Sequence, residues 1–222
     1  VSSTVTISTT SNSQMLKAMV GIGVLCGLLI VLTYEGTLPR VERLRAEALQ
    51  RAVFTVIPGA EDSKAFSWDG NGFGEVNESS TEILYAGYDS SGGLKGIAIE
   101  ASGQGYADVI RILYGYNPID QTVIGFYVLE SKETPGLGDK IEKDATFLAN
   151  FKALDVQINN DQQGLANAVI PVKSGAKVNA WEVDAITGAT ISSRAIADMI
   201  NVSMQKWASR IQMNKQLFEL NE

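Results

Sequence analysis

The sequence contains no histidine, a single cysteine at position 26 and no run of basic residues. Without histidine, the commonest general base at neutral pH and the commonest metal ligand are both missing, which excludes histidine-based hydrolytic triads. One cysteine excludes an intramolecular disulfide, a cysteine-built zinc cluster and a protein-held iron–sulfur centre. A metal would have to be held by carboxylates and carbonyls alone, and no metal site is expected. A formal charge of −7 with no basic cluster argues against a nucleic-acid partner.

What is present is 222 residues, 45% of them hydrophobic, enough for one globular domain and an appendage. Residues 1–14 are mostly serine and threonine and read as a flexible tail. Ala18 to Tyr34 carry no charge, and Met15 and Leu16 extend the apolar run past Lys17. As a helix this stretch reaches roughly 25–30 Å, the lower limit for crossing a bilayer. Lys17 can snorkel to headgroups and Tyr34 stands where an interfacial aromatic belongs. A buried core helix is seldom apolar on every face, and "TYEGTLPR" offers no small-x-small cleavage site. The expected organisation is therefore tail 1–14, a transmembrane helix at 15–34, and a domain at 35–222 in contact with the lipid bilayer through its anchor. Arg40, Arg43 and Arg45 follow the span while only Lys17 closely precedes it, which by charge alone favours a cytoplasmic domain.

Beyond the span, Pro39 suits the first position of a helix whose apolar residues recur from Val41 to Val56 and which stops at the Pro58-Gly59 breaker. "EILYAGYD", "LKGIAIEA", "YADVIRILYGY" and "TVIGFYVLE" read as strands separated by short turns, which suits an antiparallel sheet. "KDATFLANFK" reads as a short helix, and residues 157–163 as a loop. Ile191, Ile196, Met199, Ile200, Met204, Trp207 and Ile211 form the apolar stripe of a long helix. The fold class is α+β.

Three glycine-rich stretches could bind something. "DGNGFGEV" at 69–76 lacks nucleotide-loop spacing and reads as a hairpin turn. "GQGY", Gly103 to Tyr106, runs into a strand and reads as a bulge or tight bend. "ETPGLG", Glu133 to Gly138, follows a strong strand. Pro135-Gly136 there allows a turn with positive φ at the glycine, and Gly138 adds a second unhindered stretch of backbone. It is either a surface connection or a backbone with free N–H groups suited to clasp a planar ligand. "DAITGAT", Asp184 to Thr190, opens the last helix. Thr190, Ser192 or Ser193 can serve there as an ordinary N-cap, which leaves the small pair Gly188-Ala189 without a purpose.

Asp184, Thr187, Gly188, Ala189 and Thr190 match the Asp-x-x-[Ser/Thr]-Gly-Ala-Thr signature of FMN-binding domains that a flavin transferase modifies, and the chain resembles that family. Glu133, Thr134, Pro135, Gly136, Leu137 and Gly138 resemble its second motif; Gly105 and Tyr106 belong to a weaker third. Within the family the likeness is to the G subunit of Rnf-type electron-transport complexes, with the C subunit of the sodium-pumping NADH:quinone reductase a near relative. The resemblance implies FMN joined to Thr190 by a phosphoester and an electron-transfer subunit of a translocase coupled to sodium or proton movement. It further implies partner subunits in the membrane, and a domain on the extracytoplasmic side, against the arginine count. The rival expectation is a membrane-anchored scaffold without flavin, with Thr190 as a plain cap.

Overall fold

The computed structural model describes residues 12–77 and 80–219. The expected tail lies for the most part outside the described residues, and Asn12–Gln14 are already helical. Helix α1 runs Asn12–Val56. Pro39 lies inside it rather than opening a second helix, so the chain passes from the apolar run into the domain without a break. Proline has no N–H and removes one backbone bond, yet the turn before it keeps supplementary ones. The Thr33 hydroxyl donates to the Leu29 carbonyl at 2.7 Å, and Thr37 to Thr33 at 2.8 Å. The chain separates into two compact units between Glu47 and Ala48.

In the first unit the apolar side chains face outward on all sides, Leu25, Leu28, Leu29, Ile30 and Leu32 among them. The helix is long and apolar enough to cross a bilayer, where a helix is suited because it pairs backbone polar groups within itself. The chain is anchored in the membrane by this helix, the one such span among the described residues.

The second unit is built on an antiparallel sheet. Its strands are β1 (Asp62–Trp68), β2 (Phe73–Glu75), β3 (Ile83–Tyr88), β4 (Leu94–Gln104), β5 (Val109–Asn117), β6 (Thr122–Glu130) and β7 (Leu154–Asp155). Among the described residues their order is β2-β1-β3-β4-β5-β6-β7, with every pairing antiparallel. A separate parallel pair joins β8 (Ile170–Val172) to β9 (Glu182–Asp184). Short helices α2 (Ala145–Ala149) and α4 (Lys215–Phe218) flank α3 (Thr190–Met213). The four strands expected from β3 to β6 are present. β1, β2 and β7 to β9 have no counterpart among the expected strands; most are too short or too polar to show a two-residue period.

Alternation along the strands gives the sheet two apolar faces. Ile97, Ile99, Ile112, Tyr114 and Tyr116 face the stripe Ile196, Ile200, Met204, Trp207 and Ile211 of α3. Each such side chain contributes roughly 1.5–3 kcal/mol on burial. On the opposite face Ala98 and Leu113 meet Ala52, Val53 and Val56 from the end of α1 and Ile57 just after it. That contact is close because Gly115 and Gly125, paired across β5 and β6, lie directly beneath the Val56 carbonyl.

Candidate functional site

Three segments converge where β4, β5 and β6 end. The β4–β5 hairpin closes when Gly105 N–H donates to the Asp108 carbonyl at 2.9 Å. Lys132 reaches across from the end of β6 to Asp108 at 2.7 Å, and this contact lowers the Asp108 carboxyl below its usual range. After β6, Thr134 to Leu137 make a turn: Leu137 N–H donates to the Thr134 carbonyl at 3.1 Å, and Gly136 takes φ 81°. Asp139 secures it by accepting from Gly136 N–H at 2.6 Å. The third segment is the turn into α3. Ala189 N–H donates to the Ile186 carbonyl at 3.0 Å, and Gly188 sits at φ 87°. Ser193, fully buried, ties this turn to the helix by accepting from Ile186 N–H at 3.1 Å and donating to the Ala189 carbonyl at 2.9 Å.

Between these segments lies a cleft of about 350 Å³ lined by Tyr106, Glu133, Thr134, Leu137, Gly138, Gly188, Ala189, Thr190, Ile191 and Ser192. Its volume is at the lower end for small-molecule sites. Its rim is apolar and open, with Tyr106 68%, Leu137 51% and Ile191 55% exposed. The cap position before α3 is Ala189, and no side-chain hydrogen bond closes this helix end. Thr190 is thus the first helical residue and exposed, not a cap. The first N–H groups of an α-helix have no partner within the helix, so this end favours a negatively charged group.

Eight of the residues singled out in the sequence meet in the cleft: Tyr106, Glu133, Thr134, Leu137, Gly138, Gly188, Ala189 and Thr190. Gly105 is buried beneath it, and Pro135 and Gly136 are exposed at the tip of their turn, outside the lining. Asp184 and Thr187 line a separate depression with Lys140, Asp144 and Ser174. There Asp184 closes a loop by accepting from Ala176 N–H at 3.2 Å, and its backbone is held at both ends by the Asn150 amide. Lys177 donates to the same amide at 3.3 Å; burial lowers its pKa, against the pull of Asp184 and Glu182.

One expectation is corrected. The "ETPGLG" backbone is not a row of free N–H groups, because those of Gly136 and Leu137 are engaged inside the turn. Gly138 lines the cleft, and its missing side chain also makes room for Glu133, because a β-carbon there would run into that residue. The segment offers the cleft the Leu137 side chain, Thr134, Glu133 and the Gly138 backbone. Ile191 and Ser192 also line the cleft, although no motif marks them. They follow Thr190 directly, and only the helix start shows that the first turn faces the cleft.

Residues 105–205 match the FMN-binding domain family. The chain is 30% identical over 191 residues to the G subunit of the ion-translocating oxidoreductase complex of Methanosarcina acetivorans, across 85% of this chain and 90% of that one. It is 30% identical over 168 residues to the G subunit of the Na(+)-translocating ferredoxin:NAD(+) oxidoreductase complex of Acetobacterium woodii, across 72% and 70%. Among solved structures, the C subunit of the Na(+)-translocating NADH-quinone reductase from Parabacteroides distasonis superposes with a TM-score of 0.58 at 18% identity. That match covers 82% of this chain and 98% of that one, and it is a likeness of fold.

Proposed function

The chain belongs to the G-subunit family of ion-translocating oxidoreductase complexes, and from that premise we propose that it carries FMN covalently on Thr190 and relays electrons between partner subunits. The observation that carries this reading is the position of Thr190. It is an exposed hydroxyl at the first residue of an uncapped 24-residue helix, at the edge of an apolar cleft.

The residues present fit the group. A phosphodiester on Thr190 would place one negative charge at the N-terminus of α3, where helix dipole and unpaired N–H groups stabilise it without a lysine. Leu137, Tyr106 and Ile191 would cover part of a planar aromatic ring and leave the rest open to a partner. Bound flavin supplies the electron chemistry; the protein supplies position and surroundings. Covalent attachment also keeps a cofactor from being lost by dilution.

Maturation then requires a flavin transferase, and the domain stands on the extracytoplasmic side of the membrane, with sodium or proton translocation carried by the complex as a whole. Arg43 pairs with Glu47 at 3.6 Å within α1, so the basic residues after the span are partly engaged in the helix itself.

The first test is intact mass with fragment mapping on protein from native membranes. FMN joined with loss of water adds about 438 Da, and the proposal places it on the peptide containing Thr190. Thr190→Val abolishes the adduct and leaves the thermal unfolding profile unchanged. Flavin retained after denaturation of that variant would sink the attachment. For orientation, Val178 is 85% exposed. A Val178→Cys variant is expected to react with a membrane-impermeant maleimide in intact cells; labelling only after permeabilisation would reverse the assigned side.

A further inference from the structure

Glu133 is 6% exposed, yet no lysine or arginine is paired with it among the described residues; the adjacent Lys132 turns to Asp108 instead. Both of its carboxylate oxygens are in use. One accepts from Ala107 N–H at 2.9 Å, in the β4–β5 hairpin, and the other from the Ser192 hydroxyl at 2.5 Å, in the first turn of α3. Gly105 and Gly138 make room for it, since a β-carbon at either would collide with the Glu133 side chain. A buried carboxylate without a counter-charge is destabilising, and an apolar side chain would fill the same space without that penalty. The arrangement makes sense when the carboxylate ties together, at one point, segments that are far apart along the chain.

We propose that Glu133 is the positioning residue of the cleft. Its carboxylate locks the hairpin, the Thr134–Leu137 turn and the first turn of α3 into one unit, and it sets a fixed negative charge in the cleft wall. The first part stands on the hydrogen bonds alone. The second rests on the reading of the cleft as a flavin site: a negative charge beside a redox group opposes its reduction and holds its midpoint potential down.

The test uses the full chain in detergent. Without flavin, backbone hydrogen exchange is followed by mass in peptides covering 103–110 and 186–196. Glu133→Ala accelerates exchange at least tenfold in both and leaves β1 to β3 unchanged. Glu133→Gln keeps the hairpin protected, because its amide oxygen still accepts from Ala107. Ser192→Ala loosens the first turn of α3 alone. Wild-type exchange in both segments of Glu133→Ala overturns the clamp. Should that variant unfold throughout, Ser192→Ala decides, with wild-type exchange in 186–196 as the overturning result. In flavin-loaded protein, Glu133→Gln shifts the midpoint to more positive potential, and an unchanged midpoint overturns the electrostatic part. If the wild-type chain takes up no flavin, the proposed function fails while the exchange measurements still read the clamp.

Discussion

Gly188 and Gly138 stand in similar glycine-rich motifs, but for different reasons. A β-carbon on Gly188 would meet only the Leu137 side chain at 3.9 Å, an ordinary contact, so space does not require glycine there. The backbone does, because φ is 87°. Gly188→Ala is therefore expected to cost about 1 kcal/mol through left-handed strain. Gly138→Ala presses on the Glu133 side chain and disturbs the cleft itself. The two separate in one experiment: thermal melts of both, with exchange in residues 103–110 altered only by the change at 138. Equal disturbance from the two variants would deny Gly138 its particular contact.

At the scale of elements, the end of α1 is seated against the sheet through backbone rather than side chains. A β-carbon at Gly115 or at Gly125 would overlap the Val56 carbonyl, a backbone atom in a helix that cannot step aside. Gly115→Ala is expected to destabilise the domain by about 3 kcal/mol, the upper part of the range for overpacking, since no flexible side chain absorbs the strain. Chemical denaturation of the full chain in detergent measures it, and a loss below about 0.5 kcal/mol, the range of surface substitutions, would mean that α1 is seated more loosely. At the other end of the domain, Trp68, Phe73, Trp207 and Phe218 pack edge to face, and Arg210 lies 4.9 Å from the Trp68 ring. This cluster fixes the far end of α3, while Ser193 and the Glu133–Ser192 contact fix its beginning. α3 is thus held at both ends, and its first residue is presented from a rigid support.

For the whole molecule, the response to pH follows from groups that titrate differently in the folded and unfolded chain. The Asp89 carboxyl is held well below the usual range by the Ser91 hydroxyl, the Lys95 ammonium and the Gly93 amide. Asp69 is lowered by the amides of Asn71 and Gly72, and Asp139 by Lys143. Their contribution is fully present above the unfolded value of about 3.9 and is lost as pH falls through the folded values. On the alkaline side, burial pushes Tyr88 up to about 12, helped by Asp62. Burial raises Tyr114 and Tyr116 as well. These phenols stabilise the fold fully below about pH 10, and the contribution is lost as pH rises through their folded values. Circular dichroism against pH is expected to show a plateau between the two limits. Asp89→Asn is expected to flatten the acid limb, and Tyr116→Phe to move the alkaline midpoint upward. An alkaline midpoint unmoved by Tyr116→Phe would remove that phenol from the transition.

The sequence by itself determined the elements whose signal is local. A long apolar run without charge, apolar on every face, suits a bilayer, the strands β3 to β6 are rich in Val, Ile and Tyr and bounded by turn residues, and the stripe from Ile196 to Ile211 follows the helical period. It also pointed to most of the residues that line the cleft, because the motifs at 133–138 and 184–190 are contiguous stretches that can be read along the chain. Only the tertiary structure decided what depends on distance through space. It showed that α1 continues through Pro39, that Gly115 and Gly125 serve the Val56 carbonyl, and that Gly105 and Gly138 make room for Glu133. It separated Asp184 from Thr190, close by in the same motif, and put Glu133 beside Ser192, 59 residues away along the chain. Spacing along a chain carries information only about neighbours on the same element. Which face of one element meets which face of another is set by packing, and the cleft is a product of packing.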